Sequence, residues 1–134
     1  MLMMPRRLAV LGLSALLLLS ANADAQPEPP SLIGSWTVDL RPSPTAPPYL
    51  KKLVITAVDG GQLSGHFYDG SPLQAGRVNM TAAAVPVFAF FTDPGEGVYQ
   101  SAGRWASVDR LEGMTLSTTR GFLLPWTATR DAAP

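Results

Sequence analysis

Short apolar runs follow one another along residues 32–130, and Gly, Asp or Pro residues separate them at intervals of roughly ten residues. Within most runs apolar and polar side chains alternate, and this period of two is typical of β-strands with one buried face. No pattern of helical period extends beyond about two turns. Eight runs rich in Val, Ile, Leu, Phe and Thr share these properties: residues 34–40, 50–58, 62–69, 73–80, 84–92, 98–106, 111–119 and 122–130.

The connections between the runs predict that neighbouring strands are antiparallel. Asp59, Gly60 and Gly61 suit a tight hairpin because glycine adopts positive φ without steric cost, and Pro94-Gly95 has the order of a type II turn. Consecutive hairpins favour an up-and-down meander, and closing such a sheet removes its two exposed edges. The sequence therefore predicts an all-β protein, an eight-stranded antiparallel up-and-down barrel. A barrel of this size encloses space for side chains or for one small ligand.

The alternation also assigns faces to the runs. In the first run Trp36, Val38 and Leu40 lie on one face, and in the last run Trp126 lies on an apolar face of the same kind. Because successive side chains of a strand point to opposite faces, a shift of one residue would expose each set. We expect Gly34, Trp36 and Trp126 to be structural core residues.

The fifth run is apolar on both faces. One face carries Val85, Val87, Ala89 and Phe91. Phe88 and Phe90 occupy the other face, and we expect their rings to lie outside the barrel as a contact for a homo-oligomer. Pro86 and Pro125 each lack a backbone donor, so we expect a bulge or a local strand opening at both.

The N-terminal residues predict export. Arg6 and Arg7 precede an apolar run over residues 8–19, and alanines at 23 and 25 suit a signal-peptide cut before Gln26. This run is too short to cross a hydrocarbon core of roughly 30 Å as a helix, although a retained anchor is the alternative. The predicted organisation is a cleavable signal peptide (1–25), a Pro-rich lead-in (26–31), one barrel domain (32–130) and a flexible tail (131–134), located in the periplasm or secreted.

Composition argues against several classes of function. The chain has 10 Lys and Arg residues against 10 Asp and Glu residues, and Lys51-Lys52 is the only basic doublet after residue 26, so no cluster of cations predicts nucleic-acid binding. Ser64 and His66 share a face of the third run, but Asp69 points the other way, so these residues do not form a triad. With one histidine and no cysteine, we predict no metal site, no cofactor and no catalytic residues.

Aromatic and polar residues of the sixth run suggest a ligand site. Tyr99 and Trp105 share one face, and Arg104, on the other face beside these aromatic residues, is suited to a bidentate contact with a carboxylate. Alternatively, Arg104 is a surface residue whose stem covers Trp105. We take Phe67, Tyr99, Trp105 and Arg104 as the candidate ligand-binding residues.

Gly34-Ser35-Trp36, placed in the first strand of an eight-stranded meander, resembles the calycin superfamily, which includes lipocalins and avidins. The stretch LVITAVDGGQLSGHFYD, residues 53–69, resembles the second and third strands of avidins. The resemblance implies a barrel plugged at one end by the Trp and open to a ligand at the other. It also implies polar biotin contacts, but Val38 and Phe67 stand at the Asn and Tyr positions, so biotin binding is not expected. The chain looks most like a small bacterial secreted family.

Two function classes follow from these observations, and a third stays open. The leading hypothesis is an exported, non-enzymatic barrel that binds a small, largely apolar ligand. The alternative is a periplasmic protease inhibitor or another protein-binding module, since small barrels with a Gly-x-Trp first strand also inhibit bacterial metalloproteases through an N-terminal trunk. The stretch QPEPPSL, residues 26–32, would be that trunk, although the disulfide usual in those inhibitors is absent. An enzyme of the cyclase kind is the third reading.

Overall fold

The computed structural model describes Met3 and residues 31–133, so the predicted signal peptide and lead-in lie almost wholly outside the described residues. In the described part of the chain no helix is long and apolar enough to span a membrane. The strands are β1 (Gly34–Asp39), β2 (Leu50–Asp59), β3 (Gln62–Phe67), β4 (Ser71–Pro72), β5 (Gln74–Asn79), β6 (Val87–Thr92), β7 (Tyr99–Ser107), β8 (Arg110–Ser117) and β9 (Phe122–Arg130).

Every strand pairing is antiparallel, and the sheet closes on itself. The hydrogen-bonded order is β2-β1-β9-β8-β7-β6-β5-β3, and β3 pairs in turn with β2. The first and last strands close the ring through four residue pairs, from Trp36 opposite Arg130 to Asp39 opposite Thr127. The prediction of an all-β, eight-stranded, closed antiparallel barrel is therefore confirmed.

Nine strands make eight barrel positions because β4 and β5 share one. Both pair with β3, β4 through Ser71 opposite Phe67 and β5 through Arg77 opposite Gln62. The predicted fourth run, residues 73–80, is thus shifted and broken. The register between β5 and β6 also slips between Gln74 and Arg77, where Ala75 has a φ of 50°. A non-glycine residue in this left-handed region is typical of a bulge or a turn.

The two prolines behave differently. The strand predicted over residues 84–92 begins only at Val87, directly after Pro86, as expected for a residue without a backbone donor. The bulge expected at Pro125 is wrong, because Pro125 keeps a regular register opposite Met114. β1 is the other neighbour of β9, and its pairing with β9 ends at Thr127. No residue of β1 therefore needs a backbone donor from Pro125.

The outward placement of Phe88 and Phe90 is also wrong. They are 4% and 3% exposed, whereas Phe91 on the opposite face is 38% exposed. The Phe90 ring lies 5.8 Å from the Phe67 ring, and that of Phe88 lies 6.4 Å from Trp126, both inside the barrel. Alternation could not choose between two apolar faces, and the need to fill the interior decided it. A homo-oligomer stays a prediction, but Phe88 and Phe90 are not available for its contact.

One end of the barrel is closed around Trp36. Its side chain is fully buried, and its indole N–H donates to the Leu32 carbonyl at 3.0 Å. The Arg130 guanidinium lies 4.1 Å from the centre of the Trp36 ring and donates to the carbonyls of Ser31 (2.6 Å) and Ile33 (3.2 Å). Arg130 thus holds the chain entering β1 against the end of β9, while its face covers the indole.

Asp131 strengthens the same closure from the outer face of β1. Its carboxylate accepts hydrogen bonds from Ser35 Oγ (2.7 Å), Thr37 Oγ1 (2.6 Å) and Lys52 Nζ (2.6 Å). These three donors hold the pKa of Asp131 down at about 2, with Lys52 as the largest cause. The sequence assigned Asp131 to the flexible tail, but the contacts of the barrel include this residue.

Replacing Arg130 by Met should lower the free energy of unfolding by about 2–3 kcal/mol, because two carbonyls lose a charged donor and Trp36 loses its cation. Chemical denaturation followed by Trp fluorescence measures the change. Arg110→Met, at an exposed position on neighbouring β8, is the matched control and should change stability by less than about 0.5 kcal/mol. Equal effects of the two substitutions would contradict the role given to Arg130.

Asp131→Asn should lower stability at pH 7 by about 1 kcal/mol and reduce the acid sensitivity of the barrel. Because the pKa of Asp131 is lower in the folded state, its contribution is present above about pH 4 and disappears as the pH falls towards 2. Urea unfolding at several pH values from 7 to 2 measures this dependence. The wild-type protein should lose more stability over that window than Asp131→Asn, with Asp59→Asn at the β2–β3 hairpin as control. Parallel curves would contradict the assignment.

Candidate functional site

The open end of the barrel, opposite Trp36, contains a cavity of about 710 Å³. Inward-facing side chains of the barrel strands and the Pro-rich loop, residues 41–48, form its wall. The lining residues are Leu40, Pro42, Ala46, Pro47, Pro48, Tyr49, Phe67, Tyr68, Thr92, Tyr99, Thr115, Arg120, Phe122, Leu123 and Leu124. Most are apolar or aromatic, so the wall suits an apolar surface.

The Pro-rich loop covers one side of the opening and is fixed at its base. The Leu40 N–H donates to the Tyr49 carbonyl at 2.8 Å and so closes the loop. The Asp39 carboxylate accepts from the Arg41 side chain (Nε, 2.8 Å) and from the Tyr49 N–H (3.3 Å). Since its prolines also restrict the backbone, the loop is a preformed wall whose ordering on binding costs little entropy.

Four aromatic rings form a continuous arc across the opening. Ring centres are 6.3 Å apart for Tyr49 and Tyr68, 5.9 Å for Tyr68 and Tyr99, and 5.9 Å for Tyr99 and Phe122. β3, which precedes Tyr68, and β7, which begins at Tyr99, are separated in the sheet by β5 and β6. The stacked contact of Tyr68 and Tyr99 therefore reaches across the barrel mouth.

Tyr68 is held in this position by an unusual backbone. Tyr68 and Asp69 have φ angles of 56° and 59°, a left-handed conformation that costs a non-glycine residue roughly 1–2 kcal/mol. Two contacts of the Lys51 ammonium offset part of this cost. It donates to the Asp69 carboxylate (2.8 Å) and lies 4.7 Å above the Tyr68 ring. Burial, followed by the hydrogen bond with the Tyr49 hydroxyl, raises the pKa of Tyr68.

Charged groups at the opening are paired with one another. Arg120 Nη1 donates to the Tyr99 hydroxyl at 3.2 Å and lies 3.5 Å from the Glu96 carboxylate, to which that hydroxyl donates at 3.2 Å. Of the described residues lining the cavity, Arg120 alone carries a charge, and its side chain is half exposed at the rim. The interior wall therefore offers no ionic partner.

The interior has hydroxyl groups instead. Thr92, Ser101 and Thr115 are buried and face inward, and Thr92 and Thr115 line the cavity. Thr115 Oγ1 accepts from the Trp126 indole N–H at 3.0 Å and lies 2.8 Å from Ser101 Oγ. Thr92 Oγ1 has no hydrogen-bond partner among the described residues. Such buried, unpartnered groups are uncommon in folded proteins.

The four residues predicted from the sequence do not form one site. Phe67 and Tyr99 line the cavity. Trp105 is buried on the same face of β7 as Tyr99, but six residues further along, which places it roughly 20 Å towards the closed end. Arg104 is on the outer wall, where Nε donates to Glu112 at 2.7 Å and its side chain is 62% exposed. It borders a separate outer groove of about 740 Å³.

Sequence reasoning missed several cavity residues. Tyr49 and Arg120 lie between the predicted runs, where alternation gives no direction for a side chain. Tyr68 lies within the predicted third run, where alternation places it on the face opposite Phe67, but the strand ends at Phe67 and Tyr68 has a φ of 56°. Thr92 and Phe90 lie on the same face of β6, so alternation places Thr92 inside the barrel only if Phe90 points inward. The predicted outward direction of that face is wrong. The missed residues are thus those whose position depends on the tertiary structure.

The residues with catalytic potential are dispersed. His66 alternates with inward-facing Phe67 on β3 and so points outward, whereas the Asp69 carboxylate is engaged by Lys51 at the mouth. Within residues 31–133 and Met3, no group of three or more His, Cys, Asp or Glu side chains is placed to hold a metal ion.

The sequence matches no protein-family model, and no curated protein is significantly similar to it. The assignment of function therefore depends on the geometry of the barrel.

Proposed function

We propose that this protein is an exported barrel that binds a small, largely apolar ligand in the cavity at its open end, without chemical transformation of that ligand. The observation that carries the proposal is the cavity itself. Its volume of about 710 Å³ falls within the range of roughly 300–1,000 Å³ of small-molecule sites, and its wall is mainly apolar.

The composition of the wall supports an apolar ligand over a polar one. Tyr68, Tyr99 and Phe122 offer ring surfaces, and the proline side chains of the loop offer rigid apolar contacts. A ligand that buries about 200 Å² of apolar surface there gains roughly 5 kcal/mol before its entropy costs are subtracted. Because the loop base is fixed by hydrogen bonds, little of that gain is lost in ordering the site.

The arrangement of the two ends supports a calycin-like identity, which we include in the proposal. A fully buried Trp36 in the first strand closes one end, and the cavity opens at the other. This is the arrangement that the resemblance of Gly34-Ser35-Trp36 implied. The biotin-type contacts stay outside the proposal, because Val38 is buried core and Phe67 carries no hydroxyl.

The protease-inhibitor alternative has less support. Its trunk, residues 26–32, lies mostly outside the described residues. Leu32, at its end, is buried, and its carbonyl accepts the Trp36 indole N–H, so it belongs to the plug of the barrel. No observation on the described residues favours the inhibitor or the cyclase reading over ligand binding.

Leu124→Trp should lower the affinity for N-phenyl-1-naphthylamine, an uncharged fluorescent probe, by at least about tenfold, because the indole would occupy the cavity. Fluorescence titration measures the affinity, and circular dichroism with a thermal melt shows that the variant is folded. Met114→Trp, on the exposed outer wall of β8, is the control and should bind as the wild type does.

Ala46→Trp, on the Pro-rich loop at the mouth, is a second blocking variant that does not alter the packing of the strands. Binding that is unaffected by both blocking substitutions, or that is absent in the wild-type protein, would contradict the proposed function. Recovery of the probe unchanged after prolonged incubation tests the non-enzymatic part of the proposal.

Export predicts removal of residues 1–25. When the full-length gene product is expressed in a Gram-negative bacterium, the intact mass of the purified protein should correspond to a chain that begins at Gln26. The cleaved protein should appear in the periplasmic or extracellular fraction. A chain that keeps the Arg6-Arg7 segment and stays with the cytoplasmic or membrane fraction would contradict export.

A further inference from the structure

The hydroxyl pair of Ser101 and Thr115 has one more proton than its own hydrogen bond uses. Each hydroxyl carries one proton, and the two groups share one hydrogen bond of 2.8 Å. The other partner of Thr115, the Trp126 indole, is a donor only and takes up no proton. One O–H of the pair is therefore left without an acceptor among the residues that the structure describes, and this spare proton requires an acceptor.

Thr92 provides a second hydroxyl without a hydrogen-bond partner in the same region. It is fully buried on β6 and lines the cavity, and its Oγ1 has no partner in the described part of the protein. Thr92 pairs with Tyr99 and Phe90 pairs with Ser101, so Thr92 and Ser101 are diagonal neighbours across β6 and β7. Diagonal neighbours are about 7–8 Å apart at Cα, a distance at which one small acceptor can lie between two hydroxyls.

The charge distribution limits what that acceptor can be. The only described charged residue in the cavity wall, Arg120, is at the rim and is engaged by Tyr99 and Glu96. An anionic group placed deep in the barrel would meet hydroxyls but no cation, and its desolvation would not be compensated. A neutral acceptor such as a carbonyl oxygen loses much less on leaving water, and it can accept two hydrogen bonds.

We propose that the ligand of this cavity is an uncharged molecule that carries a carbonyl-type acceptor, with its oxygen received by Thr92 and by the spare proton of the Ser101–Thr115 pair. The inference rests on the proposed function and names the ligand chemistry of that site. The apolar body of the ligand then lies towards the mouth, beneath Tyr68 and Tyr99. The unpartnered hydroxyl of Thr92 is thus a binding group that the ligand completes.

A matched pair of naphthalene probes tests this chemistry. The first, 6-propionyl-2-(dimethylamino)naphthalene, carries a ketone, and the second, 2-(dimethylamino)naphthalene, lacks it. Thr92→Val removes the hydroxyl while keeping the shape of the side chain. It should weaken binding of the ketone probe by about 3- to 10-fold, the effect of one hydrogen bond, and leave the second probe unaffected. The bound ketone probe should also emit at shorter wavelength in this variant, because its oxygen loses a donor.

Two further variants control for packing. Thr92→Ser keeps the hydroxyl and should retain the preference for the ketone probe, and Thr127→Val, at an exposed position of β9, should leave both affinities unchanged. Without ligand, Thr92→Val should raise the melting temperature by about 5 °C, since a buried hydroxyl with no partner is removed. A residue that merely stabilised the barrel would lower it instead.

The outcomes separate the two proposals. If both probes bind but Thr92→Val weakens neither, or weakens both equally, the acceptor chemistry is overturned while apolar binding in the cavity stands. If neither probe binds the wild-type protein, the proposed function fails and the ligand chemistry fails with it. A loss confined to the ketone probe, restored by Thr92→Ser, supports both.

Discussion

Pairing between the first and last strands is the constraint on which the rest of this structure depends. Four residue pairs join β1 to β9, and they remove the two edges that an open sheet would expose. The closure is strengthened on the inside by the Arg130 guanidinium over Trp36 and on the outside by the Asp131 carboxylate, which draws on donors from β1 and β2. Because the chain has no cysteine, no disulfide can stabilise this closure, and the packed and hydrogen-bonded groups stabilise it instead.

Filling of the barrel is uneven along its axis, and this unevenness creates the site. Towards the closed end, Gly103 and Gly113 leave room for large rings: a Cβ at Gly113 would overlap the Trp126 ring, and one at Gly103 would lie 2.6 Å from Phe88. Towards the mouth, the inward positions hold smaller hydroxyl residues such as Thr92 and Thr115, and space remains. The plug and the cavity thus result from the same alternation of large and small residues.

Several local costs lie around that space, although the buried Trp105 Nε1, towards the closed end, also has no hydrogen-bond partner among the described residues. The left-handed conformations of Tyr68 and Asp69 and the unpartnered hydroxyl of Thr92 all occur at the open end. A protein selected for stability alone would remove such features by single substitutions, and they are commonly found at binding sites. Their common location is consistent with a ligand that completes what the free protein leaves unsatisfied.

By itself, the sequence determined the number of barrel positions, the antiparallel order, the tight turns and the inward face of most strands, because these follow from a period of two and from the backbone preferences of glycine and proline. Only the tertiary structure decided the inward direction of Phe88 and Phe90, since both faces of β6 are apolar and the volume of the closed interior selects between them. It alone brought Tyr68 over Tyr99, a contact between strands that are not neighbours in the sheet. Periodicity acts within a strand, whereas the cavity is a property of how all the strands close.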